Sequence, residues 1–417
     1  MTRRFAPLLA LLLLAGCAAS EPPPLVVAEP EPPPPPPICA NPALETSPGG
    51  PMISFSTPVV QGQAVTIAAV GDVLMHDPLQ AYAAKQPDGF RSQLARVADL
   101  LRGADLPFAN LEGPAALNVY NTGREAKEPA TRYDGRVYSG YPMFNYHPTL
   151  VGDLKDAGID VLLTANNHSM DRQPLGVDRT IEAIVAAGLP YTGTRHRDAM
   201  TAPWYAITPT IVGGRSYNVA WLGCTYGTNE IPDRYGQVLF CYEQQDEVLA
   251  TIRELAARPD IAAVFLTPHW GREYRHDPAP TQRKLAIAAL EAGATGVIGT
   301  HPHVLEPFET HRTADGRETF VAYSLGNFLS GQSSLARRTS VILLLALMPD
   351  AAGKLVMADL RFIPTHVQPE DGGYFVEAVD RAGRGLKSRE LTLEFLPAEN
   401  LHPLTTPYWT GAACKAG

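Results

Sequence analysis

The chain has little of what would classify it at a glance. Five of its 417 residues are cysteine and no two form a Cys-x-x-Cys pair, so a cysteine-built zinc module is excluded. Charged residues make up only 18% of the chain, and acids outnumber bases 43 to 34, for a formal charge of −9. Without a basic face there is no footprint for nucleic acid and no general attraction for an anionic polymer. The N-terminal apolar run, Phe5 to Leu14, is shorter than the roughly 20 residues a membrane helix needs. No internal repeat is visible. Proline and glycine, by contrast, are plentiful at 39 and 35 residues.

Much of that proline lies near the N-terminus. Arg3-Arg4, the apolar run and Leu14-Ala15-Gly16-Cys17 together read as a secretory signal. The last four residues resemble a bacterial lipobox, which implies cleavage after residue 16 and acylation of Cys17 into the bilayer, rather than an ordinary signal with an incidental cysteine. Ala18 in place of an acid resembles outer-membrane sorting in a host with two membranes. Residues 17–51 then form a stalk. Its Glu21–Pro37 tract cannot build a core and is expected to extend at about 3 Å per residue. Outside the cytoplasm the four other cysteines can pair in three ways. We expect Cys224–Cys241 as a local clip and Cys39–Cys414 fastening the 401–417 tail, against the alternative that Cys224 and Cys241 are buried free thiols. The local clip would contribute roughly 3 kcal/mol in the chain-entropy model.

Residues 52–400 read as one α/β domain. Apolar runs such as Val65–Val70, Ile159–Thr164, Ile261–Leu266 and Thr295–Ile298 are strands. They alternate with helices over Gln93–Leu101, Val177–Ala187 and Thr281–Ala292, the last two stopped by Gly188 and Gly293. Such alternation predicts a largely parallel sheet. The segments Val341–Leu347, Leu355–Ile363 and Glu390–Leu396 are expected to add antiparallel strands that complete a second sheet packed against the first.

Polar residues follow several of these strands: Gly71-Asp72, Asn110-Leu111-Glu112, Asn166-Asn167-His168, His269-Trp270-Gly271 and Gly299-Thr300-His301-Pro302-His303. Side chains at the carboxyl ends of strands converge on one crevice of an open α/β sheet. Carboxylate, amide and imidazole ligands together suit borderline divalent cations. Asn110 and Glu112 would share a strand face, as would His301 and His303. Each residue alone has a plainer use, Asp72 in a turn or a lone histidine in a core. Their number in one order favours a metal site.

In that order the motifs resemble the CapA family, the capsule (poly-γ-glutamate) synthesis proteins related to calcineurin-like metallophosphoesterases. Asn110 to Pro114, Asn166 to His168 with Asp171, His269 to Gly271, Gly299 to Val304 and Tyr323 to Phe328 carry the resemblance. It implies a four-layer α/β/β/α sandwich with mixed sheets and two divalent cations (Mn, Zn or Fe), one site being incomplete for want of an imidazole. The ligands would be Asp72, Glu112, Asn167, His269, His301 and His303. His168 would be the general acid, oriented by Asp171, and Asn110, Trp270 and Asn327 would contact substrate. The implied role is hydrolysis or transfer on an envelope polymer or peptide, beside capsule-synthesis membrane partners; the alternative is a non-catalytic assembly or export factor that only binds polymer. Two departures stand out. The phosphoesterase Asp-x-His is missing after Asp72, with His76 too far around the turn to replace it. Phe144-Asn145-Tyr146-His147-Pro148 lacks the arginine of the family's Phe-Arg-x-x-Pro, which removes an anion clamp.

Overall fold

A computed structural model describes residues 48–57, 59, 62, 64–406 and 408. Cys17, Cys39, Cys414 and the proline-rich stalk lie outside the described residues. Fourteen strands form two mixed sheets. The first holds β1 (Val65–Leu74), β2 (Leu106–Leu111), β3 (Val161–Leu163) and β4 (Tyr191–Thr192), with β11 (Asn327–Ser330), β12 (Thr339–Pro349), β13 (Leu355–Glu370) and β14 (Gly373–Ala378). Its order is β14-β13-β12-β1-β2-β3-β4, and β11 pairs with the end of β1. The second runs β5 (Tyr205–Val212), β6 (Arg215–Thr225), β7 (Ala263–His269), β8 (Gly296–Ile298), β10 (Glu318–Leu325), β9 (Leu305–Arg312).

Alternating side chains divide the core into three layers. Ile67, Phe108, Leu163 and Leu343 from the first sheet meet Trp221, Phe265, Ile298 and Phe320 from the second. Phe108 stacks on Trp221 with ring centroids 5.4 Å apart, and Trp221 on Phe265 at 5.2 Å. Outside the first sheet, Ala68, Val70 and Leu162 pack against Leu79, Leu94, Leu101, Leu150, Leu154 and Ile184 of the helices. Outside the second, Leu222, Val264 and Val297 cover helices Gln245–Ala257 and Pro280–Glu291 through Ile252, Leu255, Leu285 and Ala289. The described residues form the expected four-layer α/β/β/α sandwich. Cys224 and Cys241 form the expected disulfide, both side chains buried in this outer layer.

Three expectations are corrected. The tail strands do not belong to the second sheet: β12 pairs antiparallel with β1, so they extend the first. Glu390–Leu396 is mostly helical, within Leu386–Phe395. Its Leu391, Leu393 and Phe395 alternate like a strand, but the edge of β13 is already taken by β14 through the Asp371-Gly372 turn. The Gln93–Leu101 helix is two short helices, Arg91–Leu94 and Ala98–Arg102, broken where Val97 leaves helical geometry at φ −133°. Leu94, Val97, Leu100 and Leu101 are nevertheless all buried.

Candidate metal centre

The carboxyl ends of β1, β2 and β3 in one sheet and of β6, β7 and β8 in the other are parallel within their sheets, and their polar ends meet in one crevice. Register explains much of the meeting. Asp72 stands opposite Asn110 of β2 on one side and Asn327 of β11 on the other, with an irregularity at Gly71 on the β2 side. In the second sheet His269 ends β7, opposite Thr225 and, by an isolated bridge, Thr300.

Hydrogen bonds lock these side chains. Asn110 Nδ2 donates to Asp72 Oδ1 at 2.8 Å and lies 3.1 Å from His269 Nδ1. An amide nitrogen can only donate, so His269 Nδ1 accepts and Nε2 faces the crevice, 2.9 Å from Asn167 Oδ1 and 3.6 Å from Glu112 Oε1. His303 Nδ1 meets two acceptors, Asp72 Oδ2 at 3.2 Å and Asn327 Oδ1 at 3.0 Å, so it carries the proton. That leaves His303 Nε2, 3.7 Å from Glu112 Oε1, free to ligate.

Two ligand sets emerge, Asp72 with Glu112 and His269, and Glu112 with His301 and His303; within each the ligating atoms lie within 4.8 Å of one another. Glu112 belongs to both. It is fully buried, and neither of its carboxylate oxygens has a hydrogen-bond partner; His301 Nδ1 is likewise unpartnered. Buried acceptors of this kind are costly unless something positive meets them. The donor set therefore fits a pair of divalent cations. Electrostatics agree: burial, then the neighbouring Asp72, pushes the Glu112 carboxyl well above its usual range. Burial and neighbouring imidazoles hold His269 and His301 well below theirs, in the neutral form that ligates. Burial also pulls His303 down, but Glu112 and the hydrogen bond to Asp72 outweigh it and lift it to about 9.

Beside the ligands, His168 Nδ1 is 2.8 Å from Asp171 Oδ2, which also accepts from the Phe144 amide at 2.7 Å. The Phe144 ring abuts His168 edge-on at 4.7 Å. Asp171 thus fixes the ring and leaves Nε2 as the nitrogen that can exchange a proton.

Other placements differ from expectation. His301 and His303 do not share a strand face: both lie in the turn after β8, at φ 102° and 60°. Pro302 between them cannot extend a ladder, and positive φ at both histidines is backbone strain of the kind held at functional sites. Trp270 does not wall the crevice; it is buried in the outer layer with Tyr323, whose carbonyl accepts from its indole at 3.0 Å. Asn327 spends its amide on the Arg337 carbonyl at 2.9 Å and longer contacts to His303 O and Gln332. His76, by contrast, stays out of both ligand sets as expected, with Nδ1 between Leu74 O and the Gly331 amide. Asn145, where the family's arginine would stand, staples its loop to Ala116 and Val137.

Several crevice residues escaped sequence reasoning. Tyr226 lies against His301, ring centroids 4.5 Å apart, and burial raises its phenol to about 12. Asn229 Oδ1 accepts from Asn167 Nδ2 at 3.2 Å, and its side chain lies beside His168. Tyr274 stands 6.0 Å from His303 with Arg337 above it. The only signal was their position in the turns after β6 and His269, which names no chemistry.

Over 325 residues the chain is 25% identical to a capsule biosynthesis protein CapA of Bacillus anthracis, covering 77% of this chain and 72% of the relative. It is 27% identical over 293 residues to a PGA biosynthesis protein CapA of Bacillus subtilis (strain 168), covering 68% of each. Among solved structures, the sulfate thiohydrolase SoxB of Thermus thermophilus aligns with a TM-score of 0.39 at 13% identity, over 82% of this chain and 61% of that one. A family model described as bacterial capsule synthesis protein PGA_cap matches residues 66–332, the stretch holding both ligand sets and the His168–Asp171 pair, and the chain belongs to that family.

Proposed function

We propose that the chain is a lipid-anchored envelope protein that hydrolyses or transfers a bond in a capsule or poly-γ-glutamate-type polymer with the help of two divalent cations. The observation that carries this reading is Glu112, a buried carboxylate unpartnered at both oxygens and shared by two ligand sets. Asp72, Glu112, His269 and Asn167 would hold one cation, and Glu112, His301 and His303 the other. Bound cations of this kind polarise an electrophilic oxygen and lower the pKa of water towards neutrality. Asp171 holds His168 so that its Nε2 delivers a proton to the leaving group. Asn110 keeps Asp72 and His269 in register, and Asn327 does the same for His303.

The polymer assignment draws on the names of the capsule and PGA biosynthesis relatives. The envelope assignment draws on the lipobox-like Leu14–Cys17; among the described residues no helix is long and apolar enough to cross a membrane.

The test uses full-length protein in detergent. Metal analysis should find divalent cations, and a screen over phosphoesters and γ-glutamyl peptides should find turnover that His168→Ala lowers about 100-fold or more at unchanged metal content. Turnover that survives complete metal removal would overturn the proposal. Polymer binding without any turnover, indifferent to His168→Ala, would establish the binding-factor alternative instead.

A further inference from the structure

Asn145 offers no charge and spends its amide on its own loop, so an anionic substrate would need a fixed cation from elsewhere. The structure supplies one from another element. Tyr274 follows His269-Trp270-Gly271 in a turn, held by a 2.8 Å bond from its amide to Pro302 O and strained to φ 63°. Positive φ is unfavourable for an aromatic residue and persists only where the surroundings impose it. Here it sets one side of the ring toward His303, 6.0 Å between centroids, and the guanidinium of Arg337 lies over the ring, 4.1 Å from its centroid. Arg337 is tied to the same histidine a second way. Its carbonyl accepts from Asn327 Nδ2 at 2.9 Å, and Asn327 Oδ1 meets His303 Nδ1 at 3.0 Å.

Arg337 is therefore half-buried, fixed at side chain and backbone, and among the described residues no carboxylate forms an ion pair with it. Arginines elsewhere on this protein do pair, as Arg96 and Arg384 do with Glu370 and Glu377. A guanidinium stacked on an aromatic face keeps its N–H edge for a planar or tetrahedral oxyanion, which it can grip with two parallel bonds.

We propose that Arg337, shelved on Tyr274, is the group that receives the oxyanion of the substrate, phosphoryl or carboxylate, at the rim of the metal crevice. The proposal rests on the metal-crevice reading above and adds the charge of what that crevice takes. Arg337 lies just beyond the family match, which ends at residue 332.

The test is calorimetric titration of full-length, Mn²⁺-loaded protein with inorganic phosphate and, separately, with a γ-glutamyl-glutamate dipeptide. The wild type should bind at least one, and the stronger arm identifies the source of the oxyanion. Arg337→Ala and Tyr274→Ala should each weaken that binding by about tenfold, while Arg337→Lys, which keeps the charge and loses the fork, should fall between. Manganese content and melting temperature should be unchanged in Arg337→Lys, which settles the matter if the alanine variants prove unstable. Wild-type protein that binds neither probe, or Arg337 variants that bind as the wild type does, would overturn the proposal. Arginine-dependent binding without turnover of any substrate would leave it standing and count against the hydrolase reading alone.

Discussion

A buried carboxylate without a donor raises the free energy of a fold, and Glu112 is such a group at both oxygens. Glu112→Gln should therefore behave oppositely in two conditions. In chelator the variant should unfold at equal or higher denaturant, gaining about 1–3 kcal/mol, because the amide is neutral at every pH. With Mn²⁺ or Zn²⁺ present, the wild type should gain stability through binding and the variant should gain little. Denaturant unfolding with and without chelator measures both, and a variant that keeps the full metal-linked gain would refute the shared-ligand role. The ligands themselves were legible because strand ends followed by Asp, Glu, Asn or His carry a chemical signature. Tyr226, Tyr274 and Arg337 carry none. An aromatic or arginine in a turn has many uses, and only packing against His301 and His303 reveals this one.

Asp72 reaches the crevice because β1 can approach β11 closely. A methyl group on Gly71 would lie 1.9 Å from the Gly326 carbonyl oxygen, which itself accepts from the Asp72 amide at 3.1 Å. Gly71→Ala must push these strands apart, so it should cost about 3 kcal/mol or more and strip metal from the protein. Gly152→Ala is the matched control: it sits in helix Thr149–Ala157 with nothing within 4 Å of the added carbon, and should stabilise by about 0.5–1 kcal/mol. Equal stability of the two variants would show that the close approach is not a constraint. The sequence marks Gly71-Asp72 as a motif but cannot give this reason, which depends on a strand more than two hundred residues away. Local signals fared better. Gly188 and Gly293 do stop their helices at φ 69° and 122°. Asp371-Gly372 is a local hairpin signal too, and the β14 strand it returns occupies the edge that Glu390–Leu396 would have needed as a strand.

At the scale of the whole molecule, alternation of strands and helices was enough to predict layers, while sheet membership, a matter of non-local pairing, was not. The same layering buries ionisable groups outside the two ligand sets, and two of them oppose each other in pH. His366 is held neutral, its pKa lowered to about 4 by burial and then by Arg338. Its unfolded value is 6.5, so its contribution is intact above pH 6.5 and is lost as pH falls towards 4. Glu306 is raised by burial to about 8 from 4.5; Gln282 donates to one oxygen at 2.8 Å and the other has no partner. The fold holds this carboxyl protonated while the unfolded chain releases the proton, so stability is lost as pH rises from 4.5 to 8. Between pH 4.5 and 6.5 the two slopes offset each other, and above 6.5 Glu306 acts without its opponent. Glu306→Gln removes the titration and keeps an acceptor for Gln282. Measured as variant minus wild type, its stability should climb with pH across 4.5 to 8, by up to ~5 kcal/mol if the whole shift is expressed. His366→Gln should instead gain on the wild type as pH falls from 6.5 to 4. Difference curves that are flat for Glu306→Gln over that range would mean the buried carboxyl is already ionised in the folded protein.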